Sequence, residues 1–323
     1  MTRVGVIGHT GYSGAELVKI LRHHPNVTPV LLDYRADGME RFQYSPQVLR
    51  EEGLRVLFLA TAAEVSIELA PAALDAGVRV IDLSGAFRLR TVENYERWYG
   101  AEHPRPDLLA EAAYGLPEFC RARIAAARLI ANPGCYPTAA NLALGPLLEE
   151  GLIDRAAGVV CDAKSGVSGA GKKPTAQTHF CEVTENLSAY AVLQHRHVPE
   201  VLLTSGLEES EFSFTAQLLP VHRGILETIY FRASRAVDRD GIAAVYRRRY
   251  QGEAFVRVYE DGRMPDLQGV AHTNYCDLGI QADPASRRVV VVAAIDNLVK
   301  GAAGQAIQNM NLVLGRPETE GLL

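Results

Sequence analysis

Residues 3–22 limit the possible fold more than any other stretch. Arg3-Val-Gly-Val-Ile-Gly8 is a short β-rich run that stops at a glycine. It is followed by His9-Thr10-Gly11-Tyr12-Ser13-Gly14 and then by Ala15-Glu-Leu-Val-Lys-Ile-Leu-Arg22, with apolar residues at Leu17, Val18, Ile20 and Leu21. The order strand, glycine loop, helix is the setting of a dinucleotide-binding turn, in which loop backbone and helix N-terminus lie against a pyrophosphate. The spacing here is G-x-x-G-x-x-G, not the commoner G-x-G-x-x-G. An ordinary βα turn is the competing reading.

The βα pattern repeats. Residues 28–34 read as a second strand ending where a ribose contact is expected, about 20 residues past the glycine loop. Asp33 there suits the 2′-hydroxyl of NAD, whereas Arg35 suits the 2′-phosphate of NADP. Residues 54–60 and 78–83 read as buried strands separated by a helix over 65–76. Repeated βα units imply a parallel sheet with crossovers. Ser84-Gly-Ala-Phe-Arg88 leaves a strand end, where ligands of such sheets collect, so Arg88 is a candidate anion ligand as well as a surface arginine. Tyr114-Gly-Leu-Pro-Glu118 is turn-rich, and residues 129–131 form a last short strand leading to Asn132.

Next comes Asn132-Pro-Gly-Cys-Tyr-Pro-Thr138. Cys135 leaves a Pro-Gly turn at the start of a predicted helix, with Pro137 in the first turn. Unpaired N–H groups and the helix dipole favour a thiolate at that point, lowering a cysteine pKa from about 8.5 by one to several units. A buried small residue is the alternative reading. The helix is expected to reach Glu150, with Pro146 kinking it by removing a bond to Leu142.

From Val159 the pattern changes to strand-like segments without regular helices between them, at 159–164, 212–219, 227–233, 255–260, 274–281 and 289–295. The fold class is therefore an α/β parallel-sheet domain of Rossmann type plus an α+β second domain on a mostly antiparallel sheet. The boundaries are set at 1–134 with 299–323, and 135–298. The valine run 289–292 reads as buried on both faces, as in a subunit contact. Ser165-Gly-Val-Ser-Gly-Ala-Gly-Lys-Lys173 offers N–H groups and charge to an anion. His195-Arg-His-Val-Pro-Glu200 sets two imidazoles two residues apart, on one face if extended, and histidine suits proton transfer near neutral pH. No metal is expected, since neither C-x-x-C nor H-E-x-x-H occurs.

A net charge of −5 gives no sign of nucleic acid or an anionic membrane. No apolar run approaches a membrane span. Five scattered cysteines do not make a disulfide framework, so a reduced, cytoplasmic protein is expected. Nucleophilic cysteine, histidine and dinucleotide turn together suggest a covalent dehydrogenase. A thiolate converts an activated acyl group into a thioester, which hydride can reduce.

The same stretches resemble the N-acetyl-γ-glutamyl-phosphate reductases of arginine biosynthesis, in the semialdehyde dehydrogenase superfamily, over almost the whole chain. They are residues 8–17, 82–88, 114–118, 132–138, 168–171, 195–200, 220–225 and 296–306; the cysteine heptad and Asp296-Asn-Leu-Val-Lys-Gly-Ala-Ala-Gly-Gln-Ala306 are the specific ones. The resemblance implies an oxidoreductase that reduces a small-molecule acyl phosphate to N-acetylglutamate semialdehyde with NADP(H). Cys135 would form the thioester, with His197 as acid/base and His195 as second choice. Gly8, Thr10, Gly11, Tyr12, Ser13 and Gly14 would carry the pyrophosphate, Arg35 the 2′-phosphate. Ser168, Gly169 and Asn297 would also reach the cofactor. Arg88 and Asn132 would serve the substrate phosphate, and Arg196 or Arg223 the substrate carboxylate. A homodimer or homotetramer is implied.

The chain departs from the family between Arg35 and Val56, which is short, at Tyr34 in place of a serine, and at Thr61-Ala-Ala-Glu64 in place of a Pro-His-Gly turn. These bear on cofactor preference more than on the reaction. The nearest rival is the sister reductase acting on carrier-protein-linked 2-aminoadipate phosphate, which needs a basic docking surface. A cysteine hydrolase would not require the three glycines, and a silent dinucleotide sensor would not require Cys135 with both histidines.

Overall fold

The computed structural model describes residues 1–34 and 42–323, so the Arg35 expected at the 2′-phosphate lies outside the described residues. The chain forms two compact units, Met1–Gly134 with Ala302–Leu323, and Cys135–Gly301. Among the described residues no helix is long and apolar enough to cross a membrane.

The first unit runs β1 (Thr2–Ile7), α1 (Tyr12–His23), β2 (Val27–Asp33), β3 (Phe42–Gln43), α2 (Pro46–Glu51), β4 (Val56–Leu59), α3 (Ala63–Asp75) and β5 (Arg79–Asp82). It continues with α4 (Val92–Tyr99), α5 (Pro106–Glu111), β6 (Ala113–Tyr114), α6 (Pro117–Ala126) and β7 (Leu129–Ala131). The strands form one parallel sheet in the order β3-β2-β1-β4-β5-β7-β6. Helices cover both faces, which is why β4 is Val-Leu-Phe-Leu with no exposed position. Its side chains alternate. Val56 and Phe58 join Leu17 and Leu21 of α1 in one core, while Leu57 and Leu59 join Leu69 and Leu74 of α3 in the other. Parallel strands end at one edge, so the segments after Ile7, Asp33, Asp82 and Ala131 all leave from it.

The C-terminal helix Gly304–Val313 packs into the first of these cores through Ile307, Met310 and Val313. It is buried almost all round, so its polar side chains must find partners within the protein. Gln305 and Asn309 both donate to the Gly115 carbonyl, at 3.0 and 2.9 Å, and Gln308 donates to Glu118 at 3.2 Å. These bonds fix the turn at 114–118.

The second unit contains α7 (Cys135–Glu149), β8 (Val159–Gly166), α8 (Phe180–Val183), β9 (Ser188–Tyr190), α9 (Val198–Ser205), β10 (Phe212–Leu219) and β11 (Ile225–Arg232). Then follow α10 (Arg239–Tyr250), β12 (Val256–Tyr259), α11 (Leu267–Val270), β13 (Cys276–Asp283) and β14 (Arg288–Ile295). The sheet order is β12-β13-β14-β11-β8-β10-β9, antiparallel except for β8 with β10 and β12 with β13. α7 packs on β11 and β14, and α10 on β13. Of the valine run, Val289 and Val291 are sealed at 1 % exposure, while Val290 on the opposite face is half-buried.

Two expectations are corrected here. Regular helices do interrupt the strands: α9, and α10 around the helix-like stretch at Arg247–Arg249, which buries Ile242, Val245, Tyr246 and Tyr250. Those arginines pair with carboxylates, Arg247 with Glu260, Arg248 with Glu150 and Arg249 with Glu149. The pair of histidines is not on a strand either. His197 is the N-cap of α9, and Pro199, tolerated in a first turn, belongs to that helix.

α7 continues through Pro146 to Glu149. Proline has no N–H for the Leu142 carbonyl, four residues back, and Leu142 is fully buried. The Tyr250 hydroxyl donates to that carbonyl at 2.5 Å, and Tyr246 donates to the Ala143 carbonyl at 2.5 Å. The two tyrosines of α10 thus satisfy the stretch of α7 that proline disturbs. Tyr250→Phe leaves a buried acceptor unpaired and should lower stability by about 1–3 kcal/mol in urea unfolding, with Phe packing otherwise conserved.

Candidate active site

Cys135 is the first residue of α7 and half-buried. It opens into a cavity of about 420 Å³ within the second unit, whose walls include Tyr136, Ser165, Tyr190, His195 and His197. Gly301 explains how the thiol is seated. A Cβ on Gly301 would lie 2.7 Å from the Cys135 Cβ, so only glycine lets that backbone pass behind the nucleophile.

The two histidines are not equivalent. Their ring centroids are 4.8 Å apart at 67°. His195 is 7 % exposed, and its Nδ1 accepts the His197 backbone N–H at 3.1 Å. Burial first, then the Arg196 charge, push its pKa down to about 4. His195 is therefore neutral near pH 7, with its proton on Nε2. Its ring packs edge-on to Tyr136 and Tyr190, whose hydroxyls are bonded to each other at 3.0 Å. His197 is half-buried and faces the same cavity.

The glycine loop after β8 is fastened to the turn before β11. Val167 and Ser168 donate to the carbonyls of Val221 and His222, at 2.9 and 3.1 Å. A Cβ at Gly166 would lie 2.8 Å from the Arg223 backbone, so the approach requires glycine. Asn297 closes the junction, accepting from Gly224 N at 2.7 Å and donating to Ser168 Oγ at 3.0 Å. Gly169 lies against Ser165 Oγ. Arg223 donates to the buried Asp296 at 3.0 Å, whereas Arg196 is exposed at the rim of the cavity.

In the first unit, Gly8 has φ 84°, and a Cβ there would meet the Ala60 carbonyl at 2.2 Å. A Cβ on Gly14 would meet the Gly8 carbonyl at 2.1 Å. Gly11 is the N-cap of α1 and has no side chain to cap the first N–H groups. Thr10 and Tyr12 are exposed and Ser13 half-buried. An uncapped helix start beside a bare loop backbone fits a pyrophosphate. Arg88 is buried at 7 % exposure, with Nε on the Asn132 carbonyl and Nη2 on the Leu83 carbonyl, both at 2.8 Å. Burial raises the pKa of Asp82, opposed by Ser66, Ser84 and Arg88. The Asn132 amide is engaged at both ends, by Ala302 O at 3.2 Å and Asn309 Nδ2 at 3.0 Å.

Residues 3–127 match the semialdehyde dehydrogenase NAD binding domain, and residues 135–297 the semialdehyde dehydrogenase dimerisation domain. The chain is 48% identical to an N-acetyl-gamma-glutamyl-phosphate reductase of Symbiobacterium thermophilum, covering 99% of this chain and 97% of that one. It belongs to the N-acetyl-gamma-glutamyl-phosphate reductase family. A relative of the same name from Geobacillus stearothermophilus is 43% identical, covering 100% of this chain and 98% of its own. Among solved structures, the fold is shared with aspartate semialdehyde dehydrogenase II of Vibrio cholerae, with TM-score 0.72 at 18% identity and 98% coverage of both chains. The Candida albicans aspartate semialdehyde dehydrogenase with NADP has TM-score 0.69 at 16% identity, covering 97% of this chain and 98% of that one.

Within this family site, no sequence signal points to Tyr190. It lies in a stretch without periodicity, and only the fold brings it to the cavity. The contact of Gly301 with Cys135 was visible only as a small-residue run. Gly301→Ala should displace Cys135 and slow its alkylation by iodoacetamide by about tenfold or more, with little change in far-UV circular dichroism. His195 gives a pH prediction. Its folded pKa lies below the ordinary 6.5, so the unfolded chain takes up protons first as pH falls. Its contribution to stability is complete above about 6.5 and should be lost toward pH 4, by roughly 3 kcal/mol. Urea titrations of His195→Asn should lack that component of the acid slope.

Proposed function

We propose that this chain reduces N-acetyl-γ-glutamyl phosphate to N-acetylglutamate semialdehyde and phosphate, with NADP(H), through a thioester on Cys135. The observation that carries the reading is the cavity of the second unit. There a cysteine at a helix start shares the cavity with two histidines, His195 sealed at 7 % exposure and His197 half-buried.

The α7 N-terminus favours the thiolate, and its first N–H groups face charge that develops on the attacked carbonyl oxygen. Cys135 sulfur attacks the γ-carbonyl carbon, a carbon–sulfur bond forms, and the carbon–oxygen bond to phosphate breaks. NADPH, when bound, supplies the hydride that reduces the thioester carbon. His197 accepts the thiol proton, lends it to the tetrahedral oxygen, and removes it as the carbon–sulfur bond breaks. His195, held neutral and bonded to the His197 backbone, orients that residue.

Gly8, Thr10, Gly11, Tyr12, Ser13 and Gly14 carry the pyrophosphate in this reading, and the first unit is the cofactor domain. Ser168 and Gly169 contribute through their loop, while Asn297 acts by holding Ser168. Arg88 and Asn132 are assigned to the phosphate end of the substrate. Since Arg223 is bonded to Asp296, Arg196 is the better choice for the substrate carboxylate. The second unit is the catalytic and assembly domain. Its outer sheet face, with exposed Val160 and Tyr230 beside a hollow of about 640 Å³, suits a second copy in a homodimer or homotetramer. None of the five cysteines forms a disulfide, which suits a reduced, cytoplasmic setting.

Supplied with N-acetylglutamate semialdehyde, phosphate and NADP⁺, the enzyme should reduce the nicotinamide in a phosphate-dependent way. Full activity in Cys135→Ser would sink the thioester route. His197→Asn should lower turnover by about 10². A comparable loss in His195→Asn with normal His197→Asn would reverse the histidine assignment.

A further inference from the structure

Asp33 poses a problem for a chain that uses NADP(H). An acid at the end of the second strand of a dinucleotide fold bonds a free ribose 2′-hydroxyl, and its charge opposes a 2′-phosphate. Asp33 is the last residue of β2, and Leu32 beside it pairs with Ile7 at the end of β1. His9 stands two residues beyond Ile7, at the same sheet edge. Its Nε2 lies 3.8 Å from Asp33 Oδ1, with the two side chains 9% and 18% exposed.

The same imidazole lines a cavity of about 340 Å³ whose walls also hold Lys19, Arg22 and His23 of α1. The acid of that helix face, Glu16, is buried and paired with Lys19 at 3.4 Å. His9 thus joins the acid at the ribose position to a cation-rich hollow. Such a field attracts phosphate and weakens repulsion by a carboxylate.

We infer that His9 is a specificity-determining residue for the cofactor: when protonated, its imidazole pairs with Asp33, offsets the carboxylate and turns a ribose-hydroxyl site into one that accepts a 2′-phosphate. The inference rests on the reading of a nicotinamide dinucleotide at the glycine loop. It accounts for how Asp33 is compatible with NADP(H), and it assigns to His9 a role separate from the pyrophosphate contacts of the glycines.

Calorimetric titration of the full chain with NADP⁺ and with NAD⁺ tests it. Wild type should prefer NADP⁺. His9→Ala should weaken NADP⁺ by about tenfold and leave NAD⁺ unchanged or tighter. His9→Lys, which places a permanent cation there, should retain the preference. Asp33→Asn placed in the His9→Ala background should restore NADP⁺ binding, and alone it should weaken NAD⁺ without weakening NADP⁺. Equal losses of both nucleotides in His9→Ala, or no recovery in the double variant, overturns the charge role. A loss of NADP⁺ binding in Asp33→Asn alone overturns it too, independently of how His9→Ala folds. A wild type that binds neither nucleotide overturns the cofactor reading itself.

Discussion

A primary amide buried in a protein is costly to leave without hydrogen bonds, and each unit uses amide bonds to hold its important loops. In the second unit Asn297 bonds Gly224 and Ser168 at once, fixing the glycine loop against the turn before β11. In the first, Asn309 bonds Gly115 and Asn132, so the last helix pins two strand-end turns together. Removing Asn297 would take a partner from both Gly224 and Ser168, whereas without Asn309 the Gly115 carbonyl would keep its bond from Gln305. Asn297 and Asn309 therefore act as fasteners, Asn297 through both its oxygen and its nitrogen and Asn309 through two bonds donated by Nδ2.

The histidine pair shows how the same residue type takes different roles two positions apart. The turn before α9 seals His195 and makes its Nδ1 an acceptor for backbone, which commits its tautomer. His197, as the N-cap, is left on the cavity side. A strand would have given both rings the same surroundings. The change of local structure creates the difference on which an acid/base assignment depends.

Much of the architecture was legible because it rests on local patterns. The strand–glycine–helix run, the fully apolar β4 and the helix start at Cys135 are all short-range signals. Two things were not legible. Tyr190 reaches the cavity through sheet pairing with β10, a long-range contact. The pairing of His9 with Asp33 joins the loop after β1 to the end of the adjacent strand β2, and no spacing rule along the chain anticipates it. The site residues found from sequence were those whose chemistry and local geometry coincide; those missed are placed by topology.

The proline of α7 has a bearing on the order of events at the ribosome. The helix that begins at Cys135 borrows two hydroxyls from α10, across sequence separations of 103 and 108 residues. A nascent chain that has just emitted this helix has no internal partner for the Leu142 carbonyl until Tyr250 has emerged. The first unit waits longer still, since its core includes Ile307, Met310 and Val313. Neither unit matures strictly in N-to-C sequence, and the nucleophile acquires its final support well after it has been synthesised.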